Sequence, residues 1–339
     1  MRCAQGLPVS TFEQEDAVKI VIPGGSGQVG TILARSFHAD GHDVVVLSRR
    51  PILRPWRVLA WDGLNPGSWW RDIDGAEVVI NLSGQSVNCR YTRENRAAIL
   101  ESRVQSTRAV GAAIAGAAKP PRVWLQASTA TIYAHRFDAA NDERTGRLGG
   151  DEPGAPSTWN FSIGVARAWE AAFDACGTAR TRKVLMRSAM TLSPDAGGVF
   201  DTLANLSRRG FGGRAGSGRQ FMSWIHEHDF IAAVRWLIAR DDMSGAVNLA
   251  APSPLTNDEF MRELRDACGV PFGLPAGKWI LELGAVFLRT ETELILKSRR
   301  VVPGRLLESG FRFQFSEWRD AAPELCKRWK AERRPARVA

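Results

Sequence analysis

An α/β fold is predicted, a doubly wound parallel sheet followed by a smaller α-rich C-terminal cap, and three observations predict it. The first is a strand–turn–helix–strand unit at Val18–Arg50. The second is the alternation of short apolar runs with helical stripes as far as about residue 250. The third is a change beyond Pro252 to capped amphipathic helices.

In the opening unit, Val18, Ile20, Val21 and Ile22 make a β-branched run long enough for a buried strand. Val29, Leu33 and Phe37 then recur at helical spacing, Gly41 stops the helix, and Val44–Leu47 supplies the second strand. The turn between strand and helix carries Gly24-x-x-Gly27-x-x-Gly30. One glycine permits the tight turn, one lets a pyrophosphate approach the backbone, and one lets the helix pack close to the strand. The helix N-terminus offers unpaired N–H groups to phosphate. A Rossmann-type nucleotide site is therefore expected, with Gly24, Gly25, Ser26, Gly27, Gln28, Val29 and Gly30 along the phosphates. A site selective for NAD(H) places an acidic residue after the second strand; here stand Ser48, Arg49 and Arg50. Arginines attract a 2′-phosphate that a carboxylate would repel, so NADP(H) is expected in preference to NAD(H).

Val58–Trp61 reads as a short third strand, followed by Asp62, a candidate to touch the adenine. Ala76–Leu82 is the next buried strand, and Leu82, Ser83 and Gly84 at its end are placed along the cofactor. Arg93–Ala117 reads as a long helix, with Leu100, Val104, Thr107, Gly111 and Ile114 on one stripe, until Pro120-Pro121 breaks it. Val123–Ala127 is a strand, and Ser128 beyond it joins the cofactor set. His135–Ser157 is a polar excursion near the site, and Asn160–Ala175 is a helix. Val184–Met190 and Phe221–Ile225 read as strands. Between them Arg208–Gln220 is glycine-rich and expected to be flexible, with Arg214, Arg219 and Gln220 as candidates to hold an anionic substrate. Asp229 is expected to cap a helix over 230–240. Ligands of a doubly wound sheet gather at the C-terminal ends of its strands. Gly24–Gly30, Ser48–Arg50, Asp62, Ser83-Gly84 and Ser128–Tyr133 all lie at such ends.

Beyond Pro252, Thr256 or Asn257 opens an amphipathic helix, and Phe311, Phe313 and Phe315 alternate as a strand would. The chain thus divides into a loose extension at 1–16 and a nucleotide-binding domain at 17–250 with loop insertions at 135–158 and 193–224. A cap at 251–325 and a basic tail at 326–339 follow.

A composition of 44% hydrophobic and 24% charged residues is that of a soluble globular protein. No apolar run reaches membrane-spanning length and the first residues lack the apolar centre of a signal peptide, so a cytoplasmic location without membrane contact is expected. The five cysteines are scattered, with no C-x-x-C pair, which argues against a disulfide framework or a cysteine metal site. The net charge of +9 lies largely in Arg208–Arg219 and the tail KRWKAERRPARVA. It forms no stripe interleaved with aromatics and no helix-turn-helix, so a nucleic-acid partner is not expected. His226 and His228 share a strand face, but no third ligand is evident and no metal is expected. The partner this leaves is a small-molecule substrate; a homodimer stays open.

Together these motifs resemble the extended short-chain dehydrogenase/reductase superfamily over residues 18–250. The likeness rests on PGGSGQVG at the phosphate turn (Pro23 where Thr is usual), the strand ending NLSG, STATIY after the fifth strand, and GSGRQFMSWIHEHDF before a helix. The chain is more closely similar to an atypical epimerase/dehydratase-like subgroup, through Glu101–Arg103, Trp169-Glu170, PSPLTNDEFMREL and RVVPGRLLESGFRF. The last two match that subgroup's C-terminal domain of unknown function. Its members are often labelled nucleoside-diphosphate-sugar epimerase or cell-division-inhibitor-like.

The resemblance implies an NADP(H)-dependent oxidoreductase or epimerase acting on a carbonyl or alcohol. One part of the pattern is missing. The superfamily exchanges its proton through a Tyr with a Lys four residues on, whereas here Tyr91 is followed by Asn95 and Tyr133 by Phe137. The positions matching that pair hold Ser162 and Ala166. Three readings follow. The first is an enzyme with a reassigned donor, its candidates being Thr129 (at the position of the substrate-orienting Ser), Tyr133 and Ser162. The second is a catalytically inactive NADP(H)-binding sensor. The third is an interaction protein using the cap and tail.

Overall fold

In a computed structural model the chain is described at residues 17–150, 152, 156–277 and 293–333. Seven strands form one parallel sheet. They are β1 (Lys19–Pro23), β2 (Asp43–Ser48), β3 (Arg57–Ala60), β4 (Val78–Asn81), β5 (Val123–Thr129), β6 (Arg182–Ser188) and β10 (Gly245–Leu249). Their order, β10-β6-β5-β4-β1-β2-β3, reverses direction at β1 and β4, so the sheet is doubly wound.

Alternation along the strands explains the two layers. Ile20 and Ile22 of β1, with Val44 and Val46 of β2, enter a core shared with α1 (Gln28–Ala39) and α6 (Glu227–Ala239). Their neighbours Val21, Val45 and Leu47 enter the opposite core, against α2 (Trp70–Ile73), α3 (Arg93–Gly116) and α4 (Ser157–Asp174). Successive side chains of a strand point to opposite faces, so runs that are apolar throughout are those that a sheet covered on both sides requires.

A third core lies towards the C-terminus. Trp224, Phe260, Leu264, Trp318, Leu325 and Trp329 pack together from β9 (Trp224–His226), α7 (Asn257–Cys268) and α10 (Trp318–Glu332). Thr256 opens α7 with a capping box to Glu259, and Gly269 ends it at φ 75°. Also here are α5 (Val199–Arg208), β7 (Met190–Leu192), β8 (Phe221–Met222), β11 (Leu255–Thr256), α8 (Glu293–Leu296) and α9 (Gly304–Glu308). Among the described residues no helix is long and apolar enough to cross a membrane.

Several local expectations are corrected. The expected strand Phe221–Ile225 is two pieces: β8 pairs antiparallel with β11, and β9 pairs parallel with β7. Ser223 lies between the two pieces, and its hydroxyl donates to the Arg299 carbonyl at 2.6 Å. Helix α6 starts earlier than expected, at Glu227, and its cap is His226, whose ring accepts from the His228 N–H. Asp229 instead receives the backbone N–H groups of Gln314 and Phe315. That contact holds the Phe311–Phe315 stretch, which forms no strand. The glycine-rich loop after α5 is fastened rather than flexible. Ala215 N–H donates to Asn257 Oδ1 at 2.7 Å, and Gly216 and Arg214 exchange backbone hydrogen bonds with Ala276. The start of the expected basic tail is helical, since α10 runs to Glu332 and buries Cys326 and Trp329. Residues 1–16 and 334–339 lie outside the described residues.

Candidate active site

The phosphate turn is built as the glycine spacing requires. Gly24 has φ +75°, and a Cβ there would stand 2.6 Å from the Ser83 backbone. A Cβ on Gly30 would stand 2.4 Å from Gly25 Cα, so only glycine lets α1 approach the turn. Gly27 differs: a Cβ there would meet only the Gly24 carbonyl, at 3.9 Å, which leaves open space beside the backbone. Gly27 is also the N-cap of α1, with no side-chain cap and no acidic residue in the first turn. The turn thus leaves backbone N–H groups and room for phosphate. Ser26 is exposed, Gly25 buried, and Gln28 and Val29 open the helix.

No carboxylate follows β2. Ser48 donates to Ser26 Oγ at 2.9 Å, which joins the strand end to the turn. Arg49 and Arg50 are exposed, and Arg49 reaches Gln85 Oε1 at 3.3 Å. Arg49, Trp61, Asp62, Asn65 and Trp69 line a cavity of about 480 Å³ beside these strand ends. Asp62 is tied into its own turn, its carboxylate accepting from the N–H groups of Leu64 and Asn65 and from the Asn65 amide. Those bonds hold its pKa below the usual value. At the end of β4, Leu82 is half-buried and Gly84 exposed, while the Ser83 hydroxyl is buried without a hydrogen-bond partner among the described residues. A buried polar atom left unmatched at a strand end is what a ligand would satisfy. These residues fit a nicotinamide dinucleotide.

At the end of β5 the candidates separate. Thr129 is half-buried, and its hydroxyl oxygen accepts from Thr131 N at 3.1 Å. Among the described residues its own proton has no acceptor, which leaves it to a ligand. Ser128 donates to Glu170 at 2.5 Å, and Glu170 also takes both arms of Arg187, at 2.9 and 2.7 Å. Arg187 donates in turn to the Tyr133 hydroxyl at 3.0 Å, which donates to Asn248 Oδ1 at 2.9 Å. Tyr133 is 2% exposed, and burial pushes its phenol up from the ordinary value. This network cross-links β5, α4, β6 and β10, and the Tyr133 hydroxyl is used up within it.

Ser162 does sit in a polar cluster, with partners the local sequence does not announce. It donates to Glu293 Oε2 at 2.6 Å, and its oxygen lies 3.4 Å from the Tyr91 hydroxyl. Lys297 donates to the Thr131 carbonyl at 2.8 Å, and Arg299 to Thr131 Oγ1 at 3.1 Å and to the Glu293 carbonyl at 3.3 Å. A stretch from far down the chain, Glu293–Arg299, is thereby clamped over the end of β5. Lys297 is 1% exposed, and burial, then Arg299, lowers its pKa to about 8. Arg103 donates to the Gln85 and Ile99 carbonyls and lies over the Trp169 ring; burial lowers its pKa to about 10. Both Arg103 and Arg299 lie within electrostatic range of Tyr91.

Of the substrate-loop candidates, Gln220 is buried and donates to the Ala215 and Ile295 carbonyls, so it fastens the loop to α8. Arg214 and Arg219 are exposed. The histidine pair does acquire a third neighbour, Glu324, with all three donor atoms within 4.8 Å. Arg328 already supplies a cation there, its Nε 2.8 Å from Glu324 Oε1 and its Nη1 3.5 Å from His228 Nε2.

The profile of the NAD dependent epimerase/dehydratase family matches residues 20–250, and that of a domain of unknown function, DUF1731, matches 277–325. The bovine (Bos taurus) epimerase family protein SDR39U1 is 32% identical over 312 residues, covering 91% of this chain and 99% of that protein. A crystal structure of the human epimerase family protein SDR39U1 (isoform 2) with NADPH superposes with a TM-score of 0.79 at 28% identity, over 91% of this chain and 99% of that one. A nucleoside-diphosphate sugar epimerase from Corynebacterium glutamicum gives 0.71 at 26% identity, over 92% of this chain and 58% of that one.

Proposed function

The chain belongs to the NAD dependent epimerase/dehydratase family, and on that footing we propose that it is an NADP(H)-dependent oxidoreductase or epimerase acting on a carbonyl or alcohol. When bound, the cofactor supplies hydride to a carbonyl carbon or takes it from a carbinol. Gly24–Gly30 hold the pyrophosphate against the N-terminus of α1. Ser83, Gly84 and Ser128 line the path towards the end of β5, and the adenine lies by the cavity at Arg49, Trp61 and Asp62. Thr129 turns its free hydroxyl proton to the substrate oxygen. Arg214 and Arg219, both exposed on the glycine-rich loop, are assigned to an anionic substrate.

One observation carries the choice of cofactor. Where an acidic residue would repel a 2′-phosphate, the Ser26–Ser48 hydroxyl pair and the exposed Arg49 and Arg50 stand instead. The double variant Arg49→Glu/Arg50→Glu is expected to lose about 10–100-fold in affinity for NADPH in calorimetric titration, with NADH unaffected or improved. Equal losses for both dinucleotides would remove the basis of the preference.

A second reading, a cofactor-binding sensor without turnover, draws on Ser162 and Ala166 at the positions of the usual proton-exchanging pair. A homodimer fits either reading.

A further inference from the structure

The absent Tyr-x-x-x-Lys pair leaves a question of chemistry: a carbonyl oxygen that becomes a hydroxyl needs a proton from a positioned acid. The chain has two tyrosines. Tyr133 is buried, with its hydroxyl bonded to both Arg187 and Asn248, and it reaches no cleft. Tyr91 is half-buried on the loop between β4 and α3, its ring edge-on to Phe161 at 5.0 Å. Its hydroxyl lies 3.4 Å from the oxygen of Ser162, the residue that occupies the position of the usual catalytic tyrosine. A phenol therefore comes next to that position from a different element.

We infer that Tyr91 is the proton donor of this site, reaching from the β4–α3 loop to the place on α4 that Ser162 leaves open. This rests on the reading of the chain as a reductase or epimerase. In the reducing direction the Tyr91 O–H bond breaks and a new O–H bond forms on the substrate oxygen. The two electrons arrive with the hydride of NADPH, and the negative charge stays on the phenolate. The phenolate then regains a proton from solvent, so one proton is consumed per turnover. In the oxidising direction the same proton returns to Tyr91.

The surroundings suit that task. Arg103 and Arg299 act electrostatically on Tyr91, and both favour a phenolate, which is the part that the lysine of the usual pair plays. Ser162 is held by Glu293 at 2.6 Å and so turns a lone pair to the phenol. Glu293 is fixed by Arg299, which is fixed by Thr131, next but one to Thr129. The donor, the serine beside it and the substrate-orienting hydroxyl thus belong to one connected set.

With two tyrosines in the chain, carbon-13 placed at the ring Cζ of tyrosine yields two NMR resonances, and Tyr91→Phe assigns them. The Tyr91 resonance is expected to pass to the phenolate at lower pH than a free phenol, and the Tyr133 resonance at higher pH. Tyr91→Phe is expected to bind NADPH with the affinity of the unaltered chain. NADPH binding together with a Tyr91 titration at or above the free-phenol value overturns this assignment alone. Failure of the unaltered chain to bind NADPH overturns the proposed function and this inference with it.

Discussion

Gly27 and Gly30 sit three residues apart in one motif, yet the structure gives them different work. A methyl group on Gly30 would press into the Gly25 backbone, which cannot yield as the end of a side chain could. Gly30→Ala should therefore cost about 1–3 kcal/mol of stability, read from the denaturant midpoint without cofactor. At Gly27 the backbone is extended, with φ −73°, and nothing crowds the site. Gly27→Ala should leave that midpoint unchanged and weaken NADPH binding, because the methyl fills space reserved for phosphate. If Gly27→Ala unfolded the protein as Gly30→Ala does, the open space would be a packing feature and not a ligand cradle. The motif was legible in the sequence because its spacing is local. Asp62, expected beside the adenine, spends its carboxylate within its own turn, reaching no further than Asn65.

At the scale of elements, the parallel strands and long helices were readable from apolar runs and helical stripes, since each buries a face that its own sequence displays. What failed was decided by distant residues. Asp229 looks like a helix cap until Gln314 and Phe315 arrive to use its carboxylate. Strand β10, Gly245–Leu249, does not stand out because Gly245 and Asn248 interrupt its apolar run, and pairing with β6 is what places it. The Glu293–Arg299 stretch carries no local motif, and its role depends on crossing back to Ser162 and Thr131. Lys297 makes that crossing measurable. Its folded pKa of about 8 lies below the ordinary lysine value of 10.5, so below pH 8 the fold bears the full cost of a buried ammonium. Between about 8 and 10.5 the unfolded chain holds a proton that the folded chain has released, so this group's contribution to stability rises with pH. Unfolding free energies should rise across that window by an amount of the order of 3 kcal/mol relative to Lys297→Met. Parallel pH profiles for the two proteins would show that Lys297 is not desolvated as described.

For the whole molecule, one sheet presents its strand ends as a single rim. In the proposed function β1, β2 and β4 supply the nucleotide end of that rim, and β5 with α4 supplies the chemical end. The C-terminal segment closes over β5 through Lys297 and Arg299. The account stands on NADP(H) entering this rim at the Gly24–Gly30 turn. Thermal unfolding of the full chain, freed of any cofactor carried through purification, tests it most directly when run with NADPH, with NADH and with neither. NADPH at a hundred times its dissociation constant should stabilise the fold by about 2.7 kcal/mol, a plain rise in Tm, and NADH at the same concentration should raise it less. An unchanged Tm with either dinucleotide at millimolar concentration would contradict the account.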